Sequence, residues 1–270
     1  VTLPQGQRPA HGSGYVGWTA EGNLIVEATG RLYLNGDEDR AEAITRVGSS
    51  GHPSSCGPYI VHTTSLEGRF EVRAYHLTDG RSETLVRGSG FASPHCAPAG
   101  DFLIYSAVQP GGWSGLFKMP LHERGGPARQ ITLGDYTSPA VSGDGRRIAA
   151  FWSDPSEVRQ TRQTVMAILT IDGEPITKLA LPPTADRTKS PRWTPDGLAA
   201  AYVDFRDGAA NLWAQPIDGG PAYRLTRLQM ARIFSFSWSH DGSRLAVAVG
   251  EEPSDLVLLA SEAPPNHARR

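Results

Sequence analysis

A strand–turn–strand string recurs along the whole chain. One copy is Ser138-Pro139-Ala140-Val141-Ser142-Gly143-Asp144-Gly145, followed by the apolar run Ile148-Ala149-Ala150-Phe151. Others centre on Trp193-Thr194-Pro195-Asp196-Gly197, on Trp238-Ser239-His240-Asp241-Gly242 and on Pro98-Ala99-Gly100. Weaker copies lie around Trp18-Thr19-Ala20-Glu21-Gly22 and Cys56-Gly57-Pro58-Tyr59. The turn positions are 22, 59, 100, 145, 197 and 242, so the spacings are 37, 41, 45, 52 and 45. A repeat of this length constrains the fold before any single residue does, because each unit must bury its faces against its neighbours.

Asp-Gly between two apolar runs predicts a type I′ hairpin turn. A second set, Asp79-Gly80, Asp172-Gly173 and Asp218-Gly219, follows a third apolar run in several copies. Each unit therefore reads as four antiparallel strands. Six such units predict an all-β, six-bladed β-propeller. The last unit has three strands, ending at Asp255–Leu259, and Val1-Thr2-Leu3 resembles an outer strand. The N-terminal strand is therefore expected to close the ring in the last blade, which protects an edge. Residues 1–260 read as a single propeller domain and 261–270 as a flexible C-terminal tail.

The 30 glycines and 21 prolines suit a chain with many turns. A net charge of -2 gives no electrostatic case for nucleic acid or for direct membrane contact. No apolar run is long enough to span a membrane, and a monomer is expected. Cys56 and Cys96 sit at inequivalent positions of neighbouring inner strands. Their side chains are expected on opposite faces, as small buried residues rather than a disulfide.

Pro191-Arg192-Trp193-Thr194-Pro195-Asp196-Gly197 resembles the repeat of the TolB-like propellers, the WD-like repeat of the Pro-Asp-Gly type. The resemblance covers about residues 15–260. The stretch from Asn211 to Leu259 looks similar to C-terminal sensor propellers of bacterial serine/threonine kinases. The resemblance implies a sensor or protein-interaction domain of a larger bacterial signalling or envelope protein, in an extracytoplasmic (periplasmic) location. It implies no catalytic residues.

The residues point the same way. No Gly-x-Ser-x-Gly elbow is present. The turn acids Asp144, Asp196 and Asp241 read as turn formers. No cofactor or metal is expected, although His52 and His95 could converge on the channel as a metal pair or as hydrogen-bonded strand histidines. Trp18, Trp193 and Trp238 share one repeat position and read as core between blades. Trp113, Trp152, Phe205 and Arg206 border the loops joining second to third strands, and Arg187 and Arg232 lie in connections between blades. These loops and connections emerge on one face, which reads either as a solvated rim or as a binding surface. The expected function is non-enzymatic binding of a protein or peptide partner, or of a small ligand, at that mouth. The alternative is a propeller-type hydrolase or lyase with its active site in the central channel.

Overall fold

The computed structural model describes residues 14–28, 31–35, 42–46, 50–66, 69–89, 92–109, 112–121, 126–154, 163, 165–229 and 232–250. Every regular element among them is a strand. The first sheet holds β1 (Tyr15–Trp18), β2 (Leu24–Ala28), β3 (Arg31–Asn35) and β4 (Glu42–Arg46). The second holds β5 (Ser50–Cys56), β6 (Tyr59–Leu66), β7 (Arg69–His76) and β8 (Ser82–Ser89). The third holds β9 (His95–Cys96), β10 (Phe102–Val108), β11 (Ser114–Pro120) and β12 (Arg129–Gln130). The fourth holds β13 (Asp135–Val141), β14 (Arg147–Ser153), β15 (Val165–Thr170) and β16 (Pro175–Ala180). The fifth holds β17 (Arg192–Trp193), β18 (Ala199–Arg206), β19 (Ala209–Pro216) and β20 (Tyr223–Arg224). A last sheet pairs β21 (Arg232–Trp238) with β22 (Leu245–Gly250).

The described residues thus form five complete four-stranded blades, not the six read from the repeat, plus one two-stranded sheet. The expected third strand of that sheet, the closing strand at Val1–Leu3 and the 261–270 tail lie outside the described residues.

In the third, fourth and fifth blades the second strand is buried on both faces, which is why its sequence holds an apolar run rather than an alternation. In β10, Leu103 and Tyr105 pack back onto the second blade, with Val61, Phe70 and Val72. Ile104, between them, packs forward with Leu116, Ile148 and Ala150. In β14, Phe151 packs forward with Met166, Trp193 and Tyr202. Val203 and Leu212 of the fifth blade meet Ile233 and Phe236 of the two-stranded sheet.

The circuit closes through β1 and β21. Trp193 Nε1 donates to the Ala140 carbonyl of the preceding blade at 2.9 Å. Arg147 lies over the Trp193 ring, 4.8 Å from its centroid, and Arg147 Nη2 donates to the Gly197 carbonyl at 3.2 Å. The same set joins the last sheet to the first. Trp18 Nε1 donates to the Ser237 carbonyl at 3.0 Å, Arg244 lies 4.5 Å over the Trp18 ring, and Arg244 Nη2 donates to the Gly22 carbonyl at 3.1 Å. The two arrangements use equivalent repeat positions, so the closing junction has the geometry of an ordinary one.

The first hairpins differ from the expected type I′ turn. Gly145 N donates to the Ser142 carbonyl and Ser142 N to the Arg147 carbonyl, so the turn is longer than two residues. Gly145, Gly197 and Gly242 have positive φ, but Asp144, Asp196 and Asp241 do not. The acids act through their side chains: Thr194 Oγ1 donates to Asp196 at 2.6 Å and Leu198 N donates to the same oxygen at 2.9 Å. Such bonds stabilise an Asx-type turn and remove any need for a left-handed aspartate. Only Asp207-Gly208 has positive φ at both residues, 53° and 78°, in a two-residue link between Arg206 and Ala209.

The cysteines also depart from expectation. Cys56 and Cys96 form a disulfide, with Cα atoms 5.4 Å apart. Their side chains do leave opposite faces of their strands. In a ring, however, the forward face of one blade meets the backward face of the next, so opposite faces bring the two together.

Two outcomes follow for stability. Trp193→Ala is expected to cost about 3–5 kcal/mol through an inter-blade cavity and the lost indole bond. Chemical denaturation would measure it, and an unchanged midpoint would contradict the junction assignment. Reducing the disulfide, which spans 40 residues of sequence, is expected to cost about 2–4 kcal/mol. Matching urea midpoints with and without reductant would contradict a stapling role.

Candidate functional site

The first strands of the blades line a central channel. Their starts share a proline: Pro53, Pro94, Pro139 and Pro191. His52 and Ser138, each just before such a proline, have φ of 61° and 53°. The ladder slips at the same places, between Gly51 and Ser54 and between Thr137 and Ala140. A proline cannot donate to the ladder, so it occupies a bulge and bends the strand.

The residue after that proline, with its repeat equivalents in the first and last sheets, marks one level of the channel: Gly17, Ser54, His95, Ala140, Arg192 and Ser237 in blade order. A cavity of about 260 Å³ opens there, and Gly17, Ser54, His95, Arg192 and Ser237 line it. Its rim is formed by first-hairpin residues, among them Gly57, Pro98, Pro195 and Asp241. The cavity therefore opens on the hairpin face, opposite the long loops.

His52 and His95 reach the channel region but engage different blades. His52 Nδ1 lies 3.3 Å from Ser190 Oγ, and its ring centroid lies 4.6 Å from that of Tyr15. His95 Nδ1 lies 3.2 Å from Val141 N–H and 3.1 Å from the Cys96 carbonyl. Burial, reinforced by the Arg192 charge, lowers both pKa values to about 3. Lys189 adds to the effect at His52. Burial lowers Arg192 itself to about 10, so it stays charged at neutral pH. Among the described residues no group of three His, Cys, Asp or Glu side chains could hold a metal ion.

The residues expected on the loop face divide. Phe205 is 48% exposed and Trp113 is 37% exposed. Arg187 is exposed and its Nη1 donates to Ser153 Oγ at 3.1 Å, beside Trp152. Arg232 is exposed at the start of β21. Trp152 is half-buried, with Lys178 Nζ 3.2 Å from its ring centroid. Arg206 is tied down: Nη2 meets the buried Asp204 carboxylate at 2.6 Å, and the guanidinium stacks on Trp213 at 3.9 Å. Most of the long fourth-blade loop, 155–162, lies outside the described residues.

Arg192 is the channel residue that the reading of the sequence did not single out. Its signal was present in the repeat. It is the one charged residue in a column otherwise holding Gly, Ser, His, Ala and Ser.

The sheets, their circular packing and the axial channel define a β-propeller of the TolB-like fold. TolB from Acinetobacter baumannii superposes with a TM-score of 0.64 at 22% identity, over 77% of this chain and 52% of that one. A putative TolB from Agrobacterium tumefaciens gives 0.65 at 18% identity, over 88% of this chain and 90% of that one. No family model matches the chain. Among curated proteins, Tricorn protease homolog 1 of Streptomyces coelicolor is 41% identical over 58 residues, 22% of this chain. Uncharacterized peptidase YuxL of Bacillus subtilis is 33% identical over 116 residues, 42% of this chain. The alignments span 5% and 17% of those two proteins.

The buried histidines set an acid dependence. His52, His62 and His95 have native pKa values lowered to about 3, about 4 and about 3, so the unfolded chain takes up protons first. Stability should fall as pH drops from about 6.5, by up to about 1.4 kcal/mol per unit for each histidine. The turn carboxylates, whose pKa values are lowered, contribute below about 5, which leaves the window above to the histidines. Thermal midpoints from pH 7 to 4.5 should decline in the wild type and decline less in a His52→Asn/His95→Asn variant. Equal slopes would contradict the assignment.

Proposed function

We propose that this chain is a non-enzymatic binding propeller that docks a protein or peptide partner on its loop-rich face. One observation carries the reading. Of the eight exposed large apolar side chains among the described residues, Val108, Trp113, Leu133, Phe205 and Val249 belong to second-strand ends, second-to-third loops or a blade connection. Those positions all emerge on one face. Leu133 is 88% exposed. A solvated rim has no reason to concentrate apolar area, whereas aromatic and arginine side chains dominate contact energy at interfaces. Arg187 and Arg232 border this area; Arg206, held by Asp204, presents its neighbour Phe205 rather than a free charge.

In this reading the two-stranded sheet is the inner half of a sixth blade, and residues 1–260 form one domain closed by the N-terminal strand. The domain belongs to a larger bacterial signalling or envelope protein, as in the kinase-linked sensor propellers it resembles, and acts as a monomer. The Cys56–Cys96 disulfide supports an extracytoplasmic setting, where such bonds persist. The peptidase names of the two curated relatives attach to proteins of which this chain matches a small part.

Photo-cross-linking tests the reading. Benzoylphenylalanine at Phe205 should capture a discrete partner in the native cell, while the same probe at Leu198, on the hairpin face, should not. Phe205→Ala should weaken the captured complex about tenfold or more without lowering the thermal midpoint. Capture from both faces alike, or none at Phe205, would remove the docking surface.

A further inference from the structure

The channel holds a cation at a repeat position where two other strands carry an acceptor. Two of the six inner strands are stitched to the next at this level by a side chain that accepts a backbone N–H. Ser54 Oγ accepts from Cys96 N–H at 3.0 Å, and His95 Nδ1 accepts from Val141 N–H at 3.2 Å. A guanidinium offers only donors, so Arg192 cannot serve in this way. Arg192 Nη1 donates to the Pro191 carbonyl at 2.9 Å. Among the described residues no Asp or Glu forms an ion pair with it, and burial alone accounts for its lowered pKa. The rim carboxylate, Asp241, is occupied within its own turn by the Ser239 hydroxyl at 2.5 Å and the Ser243 hydroxyl at 2.7 Å.

Arg192 is half-buried at the cavity wall, and a partly desolvated charge without an ionic partner is costly until a ligand completes it. The surroundings specify that ligand. The cavity measures about 260 Å³, room for a short chain rather than a nucleotide. One guanidinium balances one negative charge, and burial keeps His52 and His95 neutral at pH 7. Among the described residues lining the cavity Arg192 is the one Lys or Arg, so a phosphate dianion would bring a second charge that the lining does not match. A carboxylate matches the planar fork and the single charge. His95, which lines the same cavity, adds a neutral polar ring.

We propose that Arg192 anchors a carboxylate-binding site in the central channel, entered from the hairpin face. The carboxylate belongs to a small organic acid or to an acidic side chain of a peptide. This site lies opposite the loop-rich docking face and does not depend on it.

Titration of the isotope-labelled chain, followed by backbone amide shifts, tests the proposal with three probes: succinate, an end-capped Ala-Glu-Ala peptide and inorganic phosphate. Succinate or the peptide should shift the amides of Ser54, Cys96, Trp193 and Ser237, and added salt should weaken the effect. Tighter binding of succinate assigns the small acid, and tighter binding of the peptide assigns the side chain. Arg192→Gln should lose about tenfold or more in affinity, with Arg192→Lys in between. If Arg192→Gln does not fold, the location of the wild-type shifts decides. The proposal is overturned if neither carboxylate shifts the channel amides, if phosphate binds more tightly than both, or if folded Arg192→Gln keeps wild-type affinity.

Discussion

The structure depends on how one blade grips the next. A tryptophan in each of two inner strands, Trp193 and Trp18, reaches back to a carbonyl of the preceding sheet, and an arginine from that sheet covers the ring. The contact combines a buried indole bond, cation–π attraction and a large apolar area, each worth about 1 kcal/mol or more in a desolvated setting. The third to fifth sheets could not stand alone, because the second strand of each is buried on both sides. Closure is therefore a condition of folding, and it uses the same contact as any other step around the circuit.

That constraint also shapes the channel. Six inner strands converge on an axis where only small side chains fit without crowding, and five of the six positions at the cavity level are Gly, Ser, Ala or His. The bends at His52-Pro53 and Ser138-Pro139 remove ladder bonds and direct polar side chains inward. Serine, histidine and backbone groups then satisfy one another across the blades. Burial keeps the histidines neutral, and the one arginine beside them strengthens that preference.

The two faces of the ring are physically different. The hairpin face is built from tight turns that satisfy themselves through Ser, Thr and Asp side chains, so it offers few free groups outside the cavity mouth. The opposite face carries longer connections and five of the eight exposed large apolar side chains among the described residues. Several loop residues are nonetheless part of the scaffold. Arg206 is consumed by Asp204 and Trp213, and Trp152 is covered by Lys178.

The strand count per unit, the all-β class and the inter-blade role of Trp193 were legible in the sequence, because they follow from a repeat and from local turn chemistry. The loop face was legible for the same reason: strand direction alternates, so chain order assigns each loop to a side. Turn type was not, since an aspartate that accepts hydrogen bonds and one that adopts positive φ are written alike as Asp-Gly. Asp196 does the first and Asp207 the second. The pairing of Cys56 with Cys96 needed the ring, which turns opposite faces of neighbouring strands toward each other. Arg192 stood in plain view in the repeat, but its meaning depends on what surrounds it. Only the tertiary structure decides whether a charge in an inner strand meets a carboxylate, water or an open cavity, because that depends on residues from every blade at one level of the axis.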